Sequence, residues 1–311
     1  QVGFSAAYGA PGMAGINGLL QLEYGESGLQ RRIDLESSNL GLHFPEVFDK
    51  GWEFASAKGV THFSLEKNVL HLSSELAEVK KAGINASGRW SLYLPLAREV
   101  QSELTLLIGV KGSDGSLAPE LIPDHEIDPG IKIWVTQAIK HGHINQGGFM
   151  LHTGTRSIQS RQSPTMQMFM DIADASVDYQ PGWPAVTGAD ASLLLRDQGL
   201  LINVSSGQIF NSKVNHGWVY LPPNSNSLNI QARVSGYSAD IGRTLIESPV
   251  IGGSKELGSW QLSGQADTQL GLIIPLDGQE PDVDVSSRFT SLDLISKERN
   301  LSFNKLSGLI G

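Results

Sequence analysis

The sequence predicts a mostly β, antiparallel fold, and three observations carry that prediction. Apolar residues recur at every second position in segment after segment, the period of a strand with one apolar and one wet face. Gly supplies 35 of the 311 residues, against an average of about 7%, and it gathers in turn-like clusters between those segments. Charged residues make up 18% of the chain and apolar residues 40%, a balance that suits many strands and turns better than a helical bundle.

The elements follow in chain order. Leu20, Leu22 and Tyr24 share one face of the first clear strand, with Gln21 and Glu23 on the other. Leu92, Leu94 and Leu96 alternate in the same way, as do Leu104, Leu106, Ile108 and Val110. Met166, Met168, Met170 and Ile172 form another set, followed by Leu228, Ile230, Ala232 and Val234. Leu270, Leu272, Ile274 and Leu276 close the series. Turn signals fall between them at Gly25–Gly28, Gly112–Gly115, Asp197–Gly199 and Asp277-Gly278, which predicts a meander of hairpins.

Three segments read as helical. Pro45–Asp49 has the length of a single turn. In Asp128–Gly142, Asp128 suits the N-cap, Pro129 the first helical position and Gly142 the end. Ile131, Trp134, Val135, Ala138 and Ile139 then fall on one stripe, and the core of this helix is placed at about 128–141. Ala239–Glu247 is the third, stopped by Ser248-Pro249. A divergent repeat also shows: hairpins start at Gly15 and Gly188, each followed by a strand ending in Leu94-Pro95-Leu96 or Ile274-Pro275-Leu276. A third start at Leu306–Leu309 meets the C-terminus. The predicted organisation is a first β repeat at 1–118, a connector at 119–148 carrying the helix, and a second repeat at 149–311 running into a truncated third.

Composition excludes several functions. A net charge of −9 argues against a nucleic-acid footprint and against a polybasic attachment to anionic lipid. With no Cys there are no disulfides, thiolate nucleophiles or Cys-ligated metals. No apolar run reaches the roughly 18 residues of a membrane-spanning helix. The start at Gln1, without an initiator Met, suggests an excised or processed segment.

Chemical motifs are weak. His141-Gly142-His143 offers two ligands, whereas a zinc site needs a third and usually a fourth; the simpler expectation puts His141 in the last turn of the helix, where a cation suits the dipole. Asp277, Glu280, Asp282 and Asp284 lack the spacing of a calcium loop, and Asp282 and Asp284 alternate with Val283 and Val285 as the wet face of a strand. Asp171, Asp174 and Asp178 have no defined separation that would pair them for glycoside hydrolysis. Gly236–Asp240 fails the nucleophile-elbow pattern. The sequence offers no catalytic residues, no metal site and no cofactor. Alternation alone leaves a filled sandwich or solenoid core and an open apolar groove equally open.

Two further segments bear a resemblance. Ile133-Trp134-Val135-Thr136-Gln137-Ala138-Ile139, followed by Gly142–Gly148, is similar to a W-x-x-x-A-I helix segment of the YhdP family, AsmA-like proteins of the Gram-negative envelope. Ala175–Pro184, with Asp178-Tyr179 and Pro181-Gly182-Trp183-Pro184, resembles the same family's D-Y-x-P-G-W-P element. Ala189–Leu193 and Leu245–Pro249 also sit in the family's order, whereas the polar stretch Arg156–Ser163 departs from it and puts local strand register in doubt.

The resemblance implies a periplasmic segment of a longer protein anchored in the inner membrane by an N-terminal helix outside this chain. It implies a long antiparallel sheet curled into an open hydrophobic groove, and carriage of phospholipid between inner and outer membranes with acyl chains in the groove. Other envelope or outer-membrane proteins are possible partners. A structural or adhesive β-solenoid without lipid, and an AsmA-like factor assisting outer-membrane protein assembly, are the alternatives. The groove lining then consists of Leu20, Leu22, Leu92, Leu94, Leu104, Leu106, Ile108, Met166, Met168, Met170, Leu270, Leu272 and Ile274. The helix bearing Ile131, Trp134, Ala138 and Ile139 is assigned to a groove edge. On this basis, exchange of Leu106 and Met168 for Asp blocks lipid passage without unfolding the protein.

Overall fold

The computed structural model describes residues 2–25, 28–117, 129–156, 164–179, 182–247 and 259–311. Its strands are β1 (Val2–Phe4), β2 (Gly12–Ile16), β3 (Gly18–Gly25), β4 (Gly28–His43), β5 (Trp52–Glu66), β6 (Val69–Ser74), β7 (Ala77–Lys81), β8 (Ile84–Pro95) and β9 (Glu103–Asp114). Helix α1 (Pro129–Ala138) precedes β10 (Ile139–Gly154), β11 (Thr165–Val177), β12 (Val186–Arg196), β13 (Gly199–Ile209), β14 (Ser212–Leu221) and β15 (Ser227–Tyr237). Helix α2 (Ser238–Glu247) is followed by β16 (Trp260–Pro275), β17 (Asp282–Ser296) and β18 (Leu301–Ile310). The eighteen strands are assigned to one antiparallel sheet, and two helices stand among the described residues. The mostly β, antiparallel expectation holds.

By contacts the chain divides into two compact units: residues 1–132, 144–170 and 195–197, and residues 133–143, 171–194 and 198–311. In the first, β3 turns into β4 with Leu20 opposite Ile33 and Gly18 opposite Leu35. The β8–β9 hairpin sets Leu92 opposite Leu104 and Trp90 opposite Leu106. β6 joins this hairpin to β5 through Leu72, which faces Phe63 on one side and Leu92 on the other. Period-2 alternation fixes that register, since a slip of one residue would turn every Leu to the wet face. Pro45–Val47 form the expected single turn: Phe48 N–H donates to the Phe44 carbonyl at 2.9 Å. The turn buries Phe44, Val47 and Phe48, with the Phe48 and Trp52 rings 4.4 Å apart.

In the second unit β13 to β18 form successive antiparallel pairs. One face carries the row Ile202–Val219–Ile230–Leu272–Val283, each residue opposite the next. The pairs Leu200–Leu221 and Leu228–Ile274 lie on the same face and are buried. The opposite face is polar and wet, as Asp282 and Asp284 on β17 illustrate.

Two expectations about helices change. α1 ends at Ala138, and Ile139, Lys140 and His141 already belong to β10. His141 therefore does not close a helix; its Nε2 lies 3.7 Å from Asp174 Oδ2, and both are exposed. The apolar spacing of Ile139 satisfied a helical stripe and a strand face alike, and strand pairing won because Asp178 N–H donates to the carbonyl of Ala138 at 2.8 Å, ending the helix there. The third expected helix is present as α2.

Candidate functional site

The sequence-predicted lining residues all lie on strands, and their exposure is graded. In the first unit Leu104 is 0% and Leu92 2% exposed, and Leu94, Leu106, Met166, Met168 and Met170 are also buried. Ile108 is half-buried, like Leu72 and Phe63. Leu20 and Leu22 on β3 are 54% and 61% exposed, and Leu19 beside them is open as well. One row of side chains thus runs from buried Leu104 and Leu92, through half-buried Leu72 and Phe63, toward an exposed rim at Leu22. Arg31 stands at that rim opposite Leu22, its guanidinium 5.4 Å from the Phe63 ring centroid, an amphipathic cover for an aromatic at a water boundary.

In the second unit Leu272 and Ile274 are buried and Leu270 is half-buried. The apolar face is interrupted by Thr268 and Ser287, whose hydroxyls bond each other at 3.0 Å, so neither burial leaves an unsatisfied group. Beyond them α2 lies on the same face. Ile241 packs with Leu262 and Leu294 against the buried cluster of Ala266, Phe289 and Leu292.

Polar contacts seat α2. Asp240 Oδ2 accepts from Ser212 Oγ at 2.6 Å and from the Asn211 N–H at 3.1 Å, tying the first turn of the helix to the β13–β14 turn. Arg243 stacks 3.9 Å over the Phe210 ring and pairs with Glu247 at 2.7 Å. Sequence periodicity found the helix but not this seat, because the partners of Asp240 lie 28 and 29 residues earlier.

Of the residues assigned to a groove-edge helix, Ala138 is buried and Ile139 is a half-buried strand residue. The side chains of Ile131 and Trp134 lie outside the described residues. The tyrosine of the D-Y-x-P-G-W-P element, Tyr179, is buried with its ring 6.3 Å from that of Trp183. Burial pushes its phenol well above the ordinary value of 10.0.

Arg156 opened the polar stretch that interrupted the family pattern, and in the first unit it is a buried fastener. Its Nε donates to the Tyr8 carbonyl at 2.8 Å, Nη1 to Ala97 and Val100 at 2.7 and 2.5 Å, and Nη2 to Pro95 at 2.6 Å. Thr155 donates to the Gly9 carbonyl at 2.6 Å and is bonded to Ser102 at 2.7 Å. The turn at Tyr8-Gly9 is thereby fixed to the loop after β8. Residues 157–163 of that stretch lie outside the described residues.

Among the described residues no three His, Asp or Glu side chains group as metal ligands, and no helix is long and apolar enough to cross a membrane. What the strands do present is rows of apolar side chains, which offer non-directional contact. A family model described as YhdP protein matches residues 1–311. A curated relative, the intermembrane phospholipid transporter YhdP of Escherichia coli strain K12, is 22% identical over 243 residues, covering 76% of this chain and 19% of that protein. No solved structure matches. With its whole length matched by that family model, the chain belongs to the YhdP family.

Proposed function

We propose that this chain is a segment of a periplasmic bridge-like protein whose apolar sheet face carries phospholipid acyl chains between inner and outer membranes. The full-length protein is anchored in the inner membrane outside this segment, and the segment performs no catalysis. The observation that carries the proposal is the graded exposure of the first unit, from Leu104 and Leu92 at the floor to Leu20 and Leu22 at the rim. A filled sandwich core needs a second sheet to close over such a rim, whereas a groove keeps its rim wet. The curated relative's name, intermembrane phospholipid transporter, supports the same cargo.

Energetics suit that task. Exposing two acyl chains to water costs about 0.8 kcal/mol per CH₂, on the order of 20 kcal/mol for a phospholipid. An unbroken apolar face removes most of that cost without a single directional contact, so chain and headgroup selectivity are low.

The near-complete burial of Leu92, Leu104 and Met166 favours a second possibility, a β-solenoid with a packed core and no cargo. Native mass spectrometry and lipid extraction of the purified chain separate the two. Bound phospholipid is the expected result, and its reproducible absence overturns the groove. The depth of Leu106 and Met168 also corrects the expectation attached to them: both are buried, so an Asp at either threatens the fold as well as the cargo. Leu20→Asp with Leu22→Asp is the cleaner variant. Both side chains are already in water, so the expected outcome is an unchanged melting temperature with bound lipid reduced by more than half.

A further inference from the structure

The wet face of the second unit carries a hollow that a lipid groove does not use. It spans β14 to β17, has a volume of about 310 Å³, and is lined by His216, Trp218, Gln231, Arg233, Gly271 and Asp284 among others. Register sets these residues side by side: His216 lies opposite Arg233, Trp218 opposite Gln231, Gln231 opposite Gly271, and Gly271 opposite Asp284. Gly271 leaves the floor bare. A Cβ built there would meet nothing nearer than Asp284 Cβ at 3.6 Å.

Two features set this hollow apart from the polar face around it. Nearby side chains satisfy one another: Asn215 donates to Ser235 at 2.6 Å, and Ser235 to Asp267 at 2.5 Å. The side chains of His216, Gln231, Arg233 and Asp284 make no hydrogen bond or ion pair with any described residue. Half-buried Trp218 has no ring or cation partner among them, a state it shares with Trp90, whereas Trp52, Trp183 and Trp260 each pair with another aromatic. An aromatic face and a ring of free donors and acceptors thus surround an empty floor.

The chemistry narrows the ligand. The strands that carry the hollow are paired on both sides, so an extended peptide has no edge to join. Arg233 and Asp284 cancel in charge, which suits neither a free phosphate nor a cation. The volume lies at the lower end of the roughly 300–1,000 Å³ of small-molecule sites, and the walls are too polar for an apolar ligand. What remains is a small neutral polyol that offers a C–H face to an indole and adjacent hydroxyls to planar amide, guanidinium and carboxylate groups. We propose that this hollow is a saccharide-binding site sized for one or two pyranose rings. It is independent of the apolar face, which lies on the other side of the same strands.

The test is ¹⁹F NMR of the 311-residue chain labelled with 5-fluorotryptophan, which gives one signal for each of six Trp. The Trp218 signal is assigned by its loss in Trp218→Phe. Titration with chitotriose and with maltotriose is expected to shift that signal saturably with at least one of them, leaving the other five in place. Arg233→Ala is expected to weaken the response at least ten-fold. Gly271→Leu, which fills the floor without backbone strain, is expected to abolish it while the remaining signals confirm the fold. If no signal moves at tens of millimolar sugar, or if other Trp signals move and Trp218 does not, the proposal is overturned. A shift of Trp218 with glycerophosphoethanolamine but with neither sugar overturns it also, and assigns the hollow to a zwitterionic headgroup.

Discussion

Arg156 shows how much one side chain can hold. It is only 7% exposed, and four backbone carbonyls from two separate stretches share its guanidinium. Burial draws its pKa below the ordinary guanidinium value, with Glu99 opposing, yet the group stays charged at any physiological pH. Arg156→Ala leaves those carbonyls without donors and is expected to cost on the order of 3 kcal/mol in urea unfolding. Arg156→Lys is expected to recover little, because an ammonium cannot span the same fork. Gly9→Ala should destabilise the same corner: Gly9 has φ +88°, and an added Cβ would lie 2.8 Å from both Arg156 Cγ and Ser102 Oγ. None of this was legible in the sequence, where Arg156 read only as a break in the family pattern, because its partners are 56 to 148 residues distant.

Tyr179 makes a second prediction at the same scale. Its folded pKa is raised by burial, so the folded state holds the phenolic proton more tightly than the unfolded state. Its contribution is therefore complete below pH 10.0, the ordinary value, and is lost as pH rises through the alkaline range above it. Urea midpoints measured from pH 8 to pH 11.5 should fall, and Tyr179→Phe should flatten that fall while lowering the neutral-pH midpoint. An equally steep fall in the variant would assign alkaline loss to other groups.

Among the elements, the strands were the most legible and their covering the least. Alternation put Leu92, Leu104 and Leu270 on apolar strand faces because a period of two admits one buried face, and the structure then sets Leu92 opposite Leu104 and Leu270 opposite Val285. The same alternation treated Leu20 and Leu92 alike, although one is open to water and the other dry. What covers a face depends on neighbours remote in sequence, and α2 is the clearest case. Its apolar residues were readable; that Ile241 rests on Ala266, Phe289 and Leu292 was not. If Asp240 seats α2, Asp240→Ala strands the Asn211 N–H and the Ser212 hydroxyl and is expected to destabilise the helix by roughly 2 kcal/mol. Hydrogen exchange should then quicken within 238–247 and across Leu262–Ala266 beneath it, with Asp240→Asn intermediate because its amide oxygen keeps one acceptor. Exchange that quickens evenly over β13 to β18 instead would make Asp240 a support of the sheet rather than of the helix.

If the molecule carries lipid as proposed, the apolar and polar faces of the same strands make opposite demands on it. Neighbouring residues on a strand point to opposite faces, so contact with acyl chains must alternate along a strand, whatever the lipid. On β6, Leu72 faces Phe63 and Leu92 while His71 between its neighbours is exposed on the wet side. On β17, Val283 lies in the apolar row and Asp284 in the polar hollow. A photoreactive benzophenone amino acid introduced into the full-length protein in cells at Leu72 and at Val283 is expected to capture phospholipid. The same group at His71 and at Asp284 should capture at least five-fold less. Because apolar contact carries no directional specificity, the captured species should mirror the lipid composition of the membrane rather than favour one headgroup. Equal capture at all four positions would mean that lipid merely coats the surface, and capture at none would leave the apolar rows to one another as an ordinary core.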